Sequence, residues 1–101
     1  MEKEIEDITQ QIIDKYHPEK IILFGSAARG ESGSDSDADF LIIKKKTPHY
    51  GADRIRQLSR IIKRSIAVDF LVYRPEEFDR RLEMGDPFLK AILKEGKILH
   101  G

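Results

Sequence analysis

The sequence predicts an α/β fold of the α+β kind, a small mixed sheet of three or more strands flanked by helices. Short β-branched apolar runs of strand length stand between stretches whose apolar residues recur at helical spacing, and the two kinds of segment alternate along the 101 residues. That length suits one core. The expectation is a single domain over residues 1–101, with no room for a separate substrate-binding domain.

Ile5, Ile8, Ile12, Ile13 and Tyr16 recur at helical intervals, so residues near 2–16 form an amphipathic helix that ends at His17-Pro18. Lys20 to Phe24 is a short apolar run with the length and branching of a buried strand. Gly25 to Asp35 holds three glycines and three serines and is expected as loop or a short helical turn. A second strand runs from Asp37 to Ile43 and ends in Lys44-Lys45-Lys46.

From Ala52 to Arg64, Ile55, Leu58, Ile61 and Ile62 share a face, with Arg54, Arg56, Arg60 and Lys63 around the rest, the pattern of a surface helix laid over a sheet. Ile66 to Tyr73 is a third strand. Two short helices follow. One begins at Pro75 with Glu76 and Glu77 in its first turn, and the other is capped by Asp86, has Pro87 at its first position and stops at Gly96.

Eighteen basic residues balance eighteen acidic ones, which removes the electrostatic argument for general nucleic-acid or membrane-surface binding. With no cysteine there is neither a disulfide framework nor a thiolate metal site. The acidic N-terminus lacks the apolar run of a signal peptide and no stretch is long enough to span a bilayer, so a cytoplasmic protein is expected.

The chemistry is concentrated around Ser36-Asp37-Ala38-Asp39. Alternate residues of a strand face the same way, so Asp37 and Asp39 project from one side with α-carbons roughly 6.5 Å apart. Two such carboxylates can converge on metal ions about 3.5–4 Å apart, the separation used in two-metal phosphoryl chemistry. Asp69 is the one polar residue of an otherwise apolar third strand, and if it faces inward it needs a partner, because an unpaired buried carboxylate is costly. If the second and third strands are neighbours, three carboxylates meet. At about 4 Å and an effective dielectric near 20, each pair repels by about 4 kcal/mol, so the cluster must be protonated in part or metallated. Oxygen-only ligation suits magnesium or manganese rather than zinc or copper.

Other readings of these residues fail on identity. Asp35, Asp37 and Asp39 imitate the first ligands of a calcium loop, but Phe40 and Lys46 stand where it needs glycine and glutamate. Gly25-Ser26-Ala27-Ala28-Arg29-Gly30 follows a strand directly and its small residues let backbone N–H groups approach phosphate, yet Glu31 stands where a P-loop requires lysine. Taken alone, the aspartate pair could equally be solvated turn residues, and Gly25-Ser26 a plain strand-to-helix turn.

Together, Gly25-Ser26, Ala28-Arg29-Gly30, Ser36-Asp37-Ala38-Asp39 and the later strand residue Asp69 resemble the minimal nucleotidyltransferases of the polymerase-beta superfamily. The resemblance covers nearly the whole chain in element order and departs at Phe40, where an aliphatic residue is more usual. It implies a polymerase-beta-like nucleotidyltransferase fold. It also implies that Gly25 and Ser26 contact the β- and γ-phosphates of a nucleoside triphosphate, that Asp37 and Asp39 bridge two Mg²⁺ (or Mn²⁺) ions, and that Asp69 completes the metal site at the acceptor hydroxyl. Arg29 would contact phosphate or pair with Glu31 or Asp35.

The implied reaction attaches a nucleoside monophosphate, AMP from ATP, to an acceptor hydroxyl and releases pyrophosphate. Small relatives of this size resemble the antitoxin half of two-gene pairs whose toxin is a helical HEPN protein, and some transfer AMP to a tyrosine of that toxin. Protein adenylyltransferase and antitoxin are therefore the leading expectation. The alternatives are a catalytically silent module that binds nucleotide or toxin, and nucleotidyl transfer to a small molecule such as an aminoglycoside.

The remaining features have plain readings. The Lys44–Lys46 run and Arg54, Arg56, Arg60, Lys63 and Arg64 are expected as solvated faces, and His17, His49 and His100 as surface residues without ligand spacing. Phe78, Leu82, Phe88, Leu89, Ile92 and Leu93 are expected in the core, with some exposed for a partner.

Overall fold

The computed structural model describes residues 2–30 and 38–101. The elements run α1 (Glu2–Tyr16), β1 (Lys20–Phe24), α2 (Gly25–Ala28), β2 (Ala38–Ile43), α3 (Gly51–Ile61), β3 (Val68–Tyr73), α4 (Pro75–Glu83), α5 (Pro87–Glu95) and β4 (Lys97–His100). The strands form one four-stranded sheet in the order β3-β2-β1-β4. β1 is antiparallel to both β2 and β4, while β2 and β3 run parallel, so the sheet is mixed as expected.

Helices cover both faces, and strand alternation assigns each residue to one of them. On one face Ile21, Leu23, Phe40, Ile42, Phe70 and Val72 pack with Ile5, Ile8, Ile12 and Tyr16 of α1 and with Leu58 and Ile62 at α3. Each fully buried isoleucine or leucine here contributes about 1.5–3 kcal/mol. Ile22, Leu41 and Ile43 point to the other face, against Phe78 of α4 and Leu89 and Ile92 of α5. Phe40 is fully buried with its ring 6.0 Å from that of Phe70, so an aromatic is accommodated at this position.

The helix expected over 52–64 spans Gly51–Ile61, and the third strand begins at Val68 rather than Ile66. β4 was not expected. With only Ile98 and Leu99 apolar, it carries too little periodic signal to be told from a tail, and it forms because Gly96 turns the chain back along β1. A Cβ at Gly96 would collide with the Ile92 carbonyl and the Ile22 side chain, so no larger residue fits that turn.

Arg54 corrects the expectation of a fully solvated basic face on α3. It is 3% exposed, and its guanidinium donates to Glu77 Oε1 at 2.7 Å, to the Val72 carbonyl at 3.1 Å and to the His49 carbonyl at 2.9 Å. β3 is an edge strand, and Val72 is one of its residues whose side chain faces the α1/α3 core. Arg54 thus satisfies an edge carbonyl and ties α3 to α4 through Glu77, which also accepts from the Arg74 backbone at 2.7 Å. Arg56, Arg60, Lys63 and Arg64 are exposed.

Candidate functional site

β1 ends where β2 and β3 begin, and this end of the sheet gathers the residues singled out by the sequence. Phe24 is the register partner of Asp39, and Asp39 is the register partner of Asp69, which makes a single row across three strands. Neighbouring strands lie about 4.8 Å apart, which sets the spacing of the two aspartate α-carbons. Asp39 alternates with Leu41 and Ile43, and Asp69 with Leu71 and Tyr73, so both carboxylates leave the sheet on the α4/α5 face.

The expected adjacency of the second and third strands is therefore present, and it sets two like charges side by side on one face. Directly opposed like charges destabilise a strand pair. Asp39 is half-buried, whereas Asp69 is exposed, so the condition of an inward Asp69 does not apply. Asp69 stands near the start of the edge strand, short of the part of the α4/α5 face that Phe78, Leu89 and Ile92 cover. Asp37, along with Ser36, Asp35 and Glu31, lies outside the described residues. Among the described residues, no three or more histidine, cysteine, aspartate or glutamate side chains are grouped to hold a metal.

Gly25 follows Phe24 with φ +73°, a conformation that L side chains rarely adopt. A Cβ there would run into Asp39 Oδ2. The glycine is needed twice, for the left-handed turn out of β1 and for the room the Asp39 carboxylate occupies. Ser26 is half-buried, and Ala28 anchors α2 in the core at 7% exposure. Arg29 is exposed and its Nη1 lies 4.0 Å from Glu95 Oε2 on α5, a partner the sequence did not suggest; Glu31 and Asp35 are outside the described residues.

Two cavities flank the row. A cleft of about 840 Å³ runs along the β3 edge, with Leu71, Tyr73, Ile55, Arg80, Arg81 and Met84 in its walls. Its Leu71 and Tyr73 lie two and four residues beyond Asp69 on the same strand. A smaller cavity of about 250 Å³ sits against the glycine turn between Phe24, Gly25, Arg29, Phe88, Ala91 and Glu95. Phe88 was expected in the core. It is 48% exposed, with its ring edge-to-face on Phe24 at 5.8 Å. The signal was in the spacing: Leu89 and Ile92 share a face, and Phe88 precedes Leu89 by one residue and so lies about 100° around the helix from it. Leu93 is exposed for the same reason on the other side of that face.

The arrangement sets two carboxylates, an oxygen donor set of the kind that suits a hard divalent cation, beside the glycine turn. No helix of the described residues is long and apolar enough to cross a membrane.

Comparison with known proteins bears on the fold and the family. The chain is 32% identical to a protein of Methanocaldococcus jannaschii named "Putative protein adenylyltransferase", over 98% of this chain and 97% of that one. Its fold is similar to a crystal structure from Sulfolobus solfataricus described as a "putative nucleotidyltransferase", with a TM-score of 0.60 and 28% identity over 77% of this chain and 73% of that one. The nucleotidyltransferase domain matches residues 2–100, and the chain belongs to that family.

Proposed function

We propose that this nucleotidyltransferase moves AMP from ATP to a hydroxyl of a partner protein, using Asp39 and Asp69, together with Asp37 of the same motif, as ligands of magnesium. The observation that carries the reading is the register pair Asp39–Asp69 on one face, next to a glycine that only its own lack of a side chain lets approach Asp39. Two carboxylates side by side on neighbouring strands make an all-oxygen donor set that fits a hard cation. Bound there, magnesium would neutralise charge on the phosphates and make the acceptor hydroxyl easier to deprotonate.

The chain's own residues would do the rest. Gly25 and Ser26 hold the β- and γ-phosphates through the turn after β1. Arg29, at the mouth of that turn, is placed to reach phosphate or to hold Glu95. The acceptor oxygen attacks the α-phosphorus as the bond from that phosphorus to the oxygen bridging toward the β-phosphate breaks. Asp69 takes the hydroxyl proton, pyrophosphate departs, and AMP remains on the acceptor. Asp69 lies on the edge strand, two residues before Leu71 in the wall of the larger cleft, so the acceptor arrives from that side.

The name of the Methanocaldococcus relative supports adenylyl transfer and a protein acceptor. We infer further that the acceptor is a helical toxin of the HEPN type and that modification silences it, so that the chain serves as a cytoplasmic antitoxin.

The test is incubation with α-labelled ATP, magnesium and the protein encoded by the adjacent gene, with an aminoglycoside in a parallel reaction. Label on the partner from the wild type and none from Asp39→Ala is the expected result. Label on the drug alone would move the acceptor to small molecules. No label anywhere, with toxin still neutralised by Asp39→Ala, would leave a silent binding module.

A further inference from the structure

The cavity beside the glycine turn has a wall that phosphate binding does not call for. Phe88 opens α5, directly after Pro87, and keeps 48% of its surface in solvent although Leu89 and Ile92 next to it are buried. Its ring stands edge-on to Phe24, whose register partner is Asp39. Ala91, one turn further along α5, and Gly25 line the same cavity with small residues. The result is an aromatic and small-residue recess of about 250 Å³ that begins at the glycine turn, bounded at its rim by Arg29 and Glu95.

We propose that this recess receives the nucleobase of the bound nucleotide, with Phe88 as the surface on which the base stacks; the proposal rests on the reading of the Asp39–Asp69 row as a nucleotide site. A single exposed aromatic is ordinary on a protein surface, but Phe88 presents its flat apolar ring to a recess that adjoins the glycine turn. Every base offers such a face, and base–aromatic stacking is tolerant of base identity. Phe24 and Phe88 both line the recess and meet in the edge-to-face geometry that aromatic pairs prefer, so each ring holds the other in place before the nucleotide arrives. Phe88 in this account contacts the base and fixes the nucleoside, while the phosphates are held by the adjoining Gly25-Ser26 turn.

The experiment is calorimetric titration of the full chain with magnesium-ATP and, separately, with magnesium-tripolyphosphate, which has the phosphates and lacks the base. The wild type is expected to bind ATP more tightly than tripolyphosphate. Phe88→Ala should weaken ATP by on the order of tenfold or more and leave tripolyphosphate unchanged, and Phe88→Trp should restore ATP binding. Unaltered ATP affinity in Phe88→Ala overturns the base recess alone, as does equal weakening of both ligands, which would make the residue structural. Wild type binding neither ligand overturns the recess and the nucleotide site together.

Discussion

Asp39 and Asp69 are register partners on two parallel strands and leave the sheet on the same face, so the site sets like charges side by side with one strand spacing between them. The arrangement trades stability for ligand capacity. Neutralising Asp69 should raise the melting temperature in the absence of divalent cations, by the equivalent of roughly 0.2–1 kcal/mol for relief of an opposed like-charge pair. Asp69→Asn in a chelator is the sharpest form of this experiment, because Asp69 is exposed and its amide is tolerated. The same variant should lose at least on the order of a hundredfold in nucleotidyl transfer, since its carboxylate is assigned to the reacting hydroxyl.

Gly25→Ala should damage both folding and activity. The alanine must adopt φ +73° and must also displace the Asp39 carboxylate. The expected loss is about 1–3 kcal/mol in chemical denaturation, the range for a residue forced into a strained backbone region. Transfer activity should fall further than the unfolded fraction explains.

Arg54 reports on the fold independently of the site. Arg54→Ala removes the guanidinium from the Val72 and His49 carbonyls and leaves Glu77 with the Arg74 backbone N–H, and should destabilise the chain by about 3 kcal/mol in equilibrium denaturation. Arg54→Lys should recover only part of this, because one ammonium cannot reproduce a planar fork that spans α3, β3 and α4.

The same contact gives a pH signature. The guanidinium of Arg54 donates to Glu77 and, with the Arg74 backbone N–H, holds its carboxyl at about 2 against an ordinary 4.5, burial acting in the opposite sense. A carboxyl depressed on folding adds stability that is complete above its unfolded pKa and is lost as the pH falls through the folded one. Wild type should therefore lose stability relative to Glu77→Gln between pH 4.5 and about 2, and the gap between them should be constant above that window. Urea denaturation of both proteins across this range checks it.

The legible part of this molecule was the part governed by periodicity and by special residues. α1 carries four buried residues at helical spacing, and β1 and β2 are apolar runs, so their places could be read directly. Gly25 stood out because few residues tolerate its conformation, and the aspartates because charges interrupt apolar strands. What stayed hidden depended on which strands become neighbours. The direction of Asp69 stayed open in a linear apolar run, and it is exposed because β3 lies at the sheet edge. Arg54 reads as solvated on a basic helix, and is buried because that same edge offers carbonyls to be capped. Phe88 reads as core until the phase of Leu89 and Ile92 fixes which side of α5 meets the sheet.

The central claim is that Asp39 and Asp69 together hold a metal–nucleotide complex, and thermal unfolding with and without magnesium-ATP tests it most directly. A ligand at a hundred times its dissociation constant stabilises the folded chain by about 2.7 kcal/mol, a shift of several degrees for a domain of this size. Wild type should show that shift only when magnesium and ATP are both present, and Asp39→Asn and Asp69→Asn should each abolish it. An equal shift in either variant, or none in the wild type, would contradict the account.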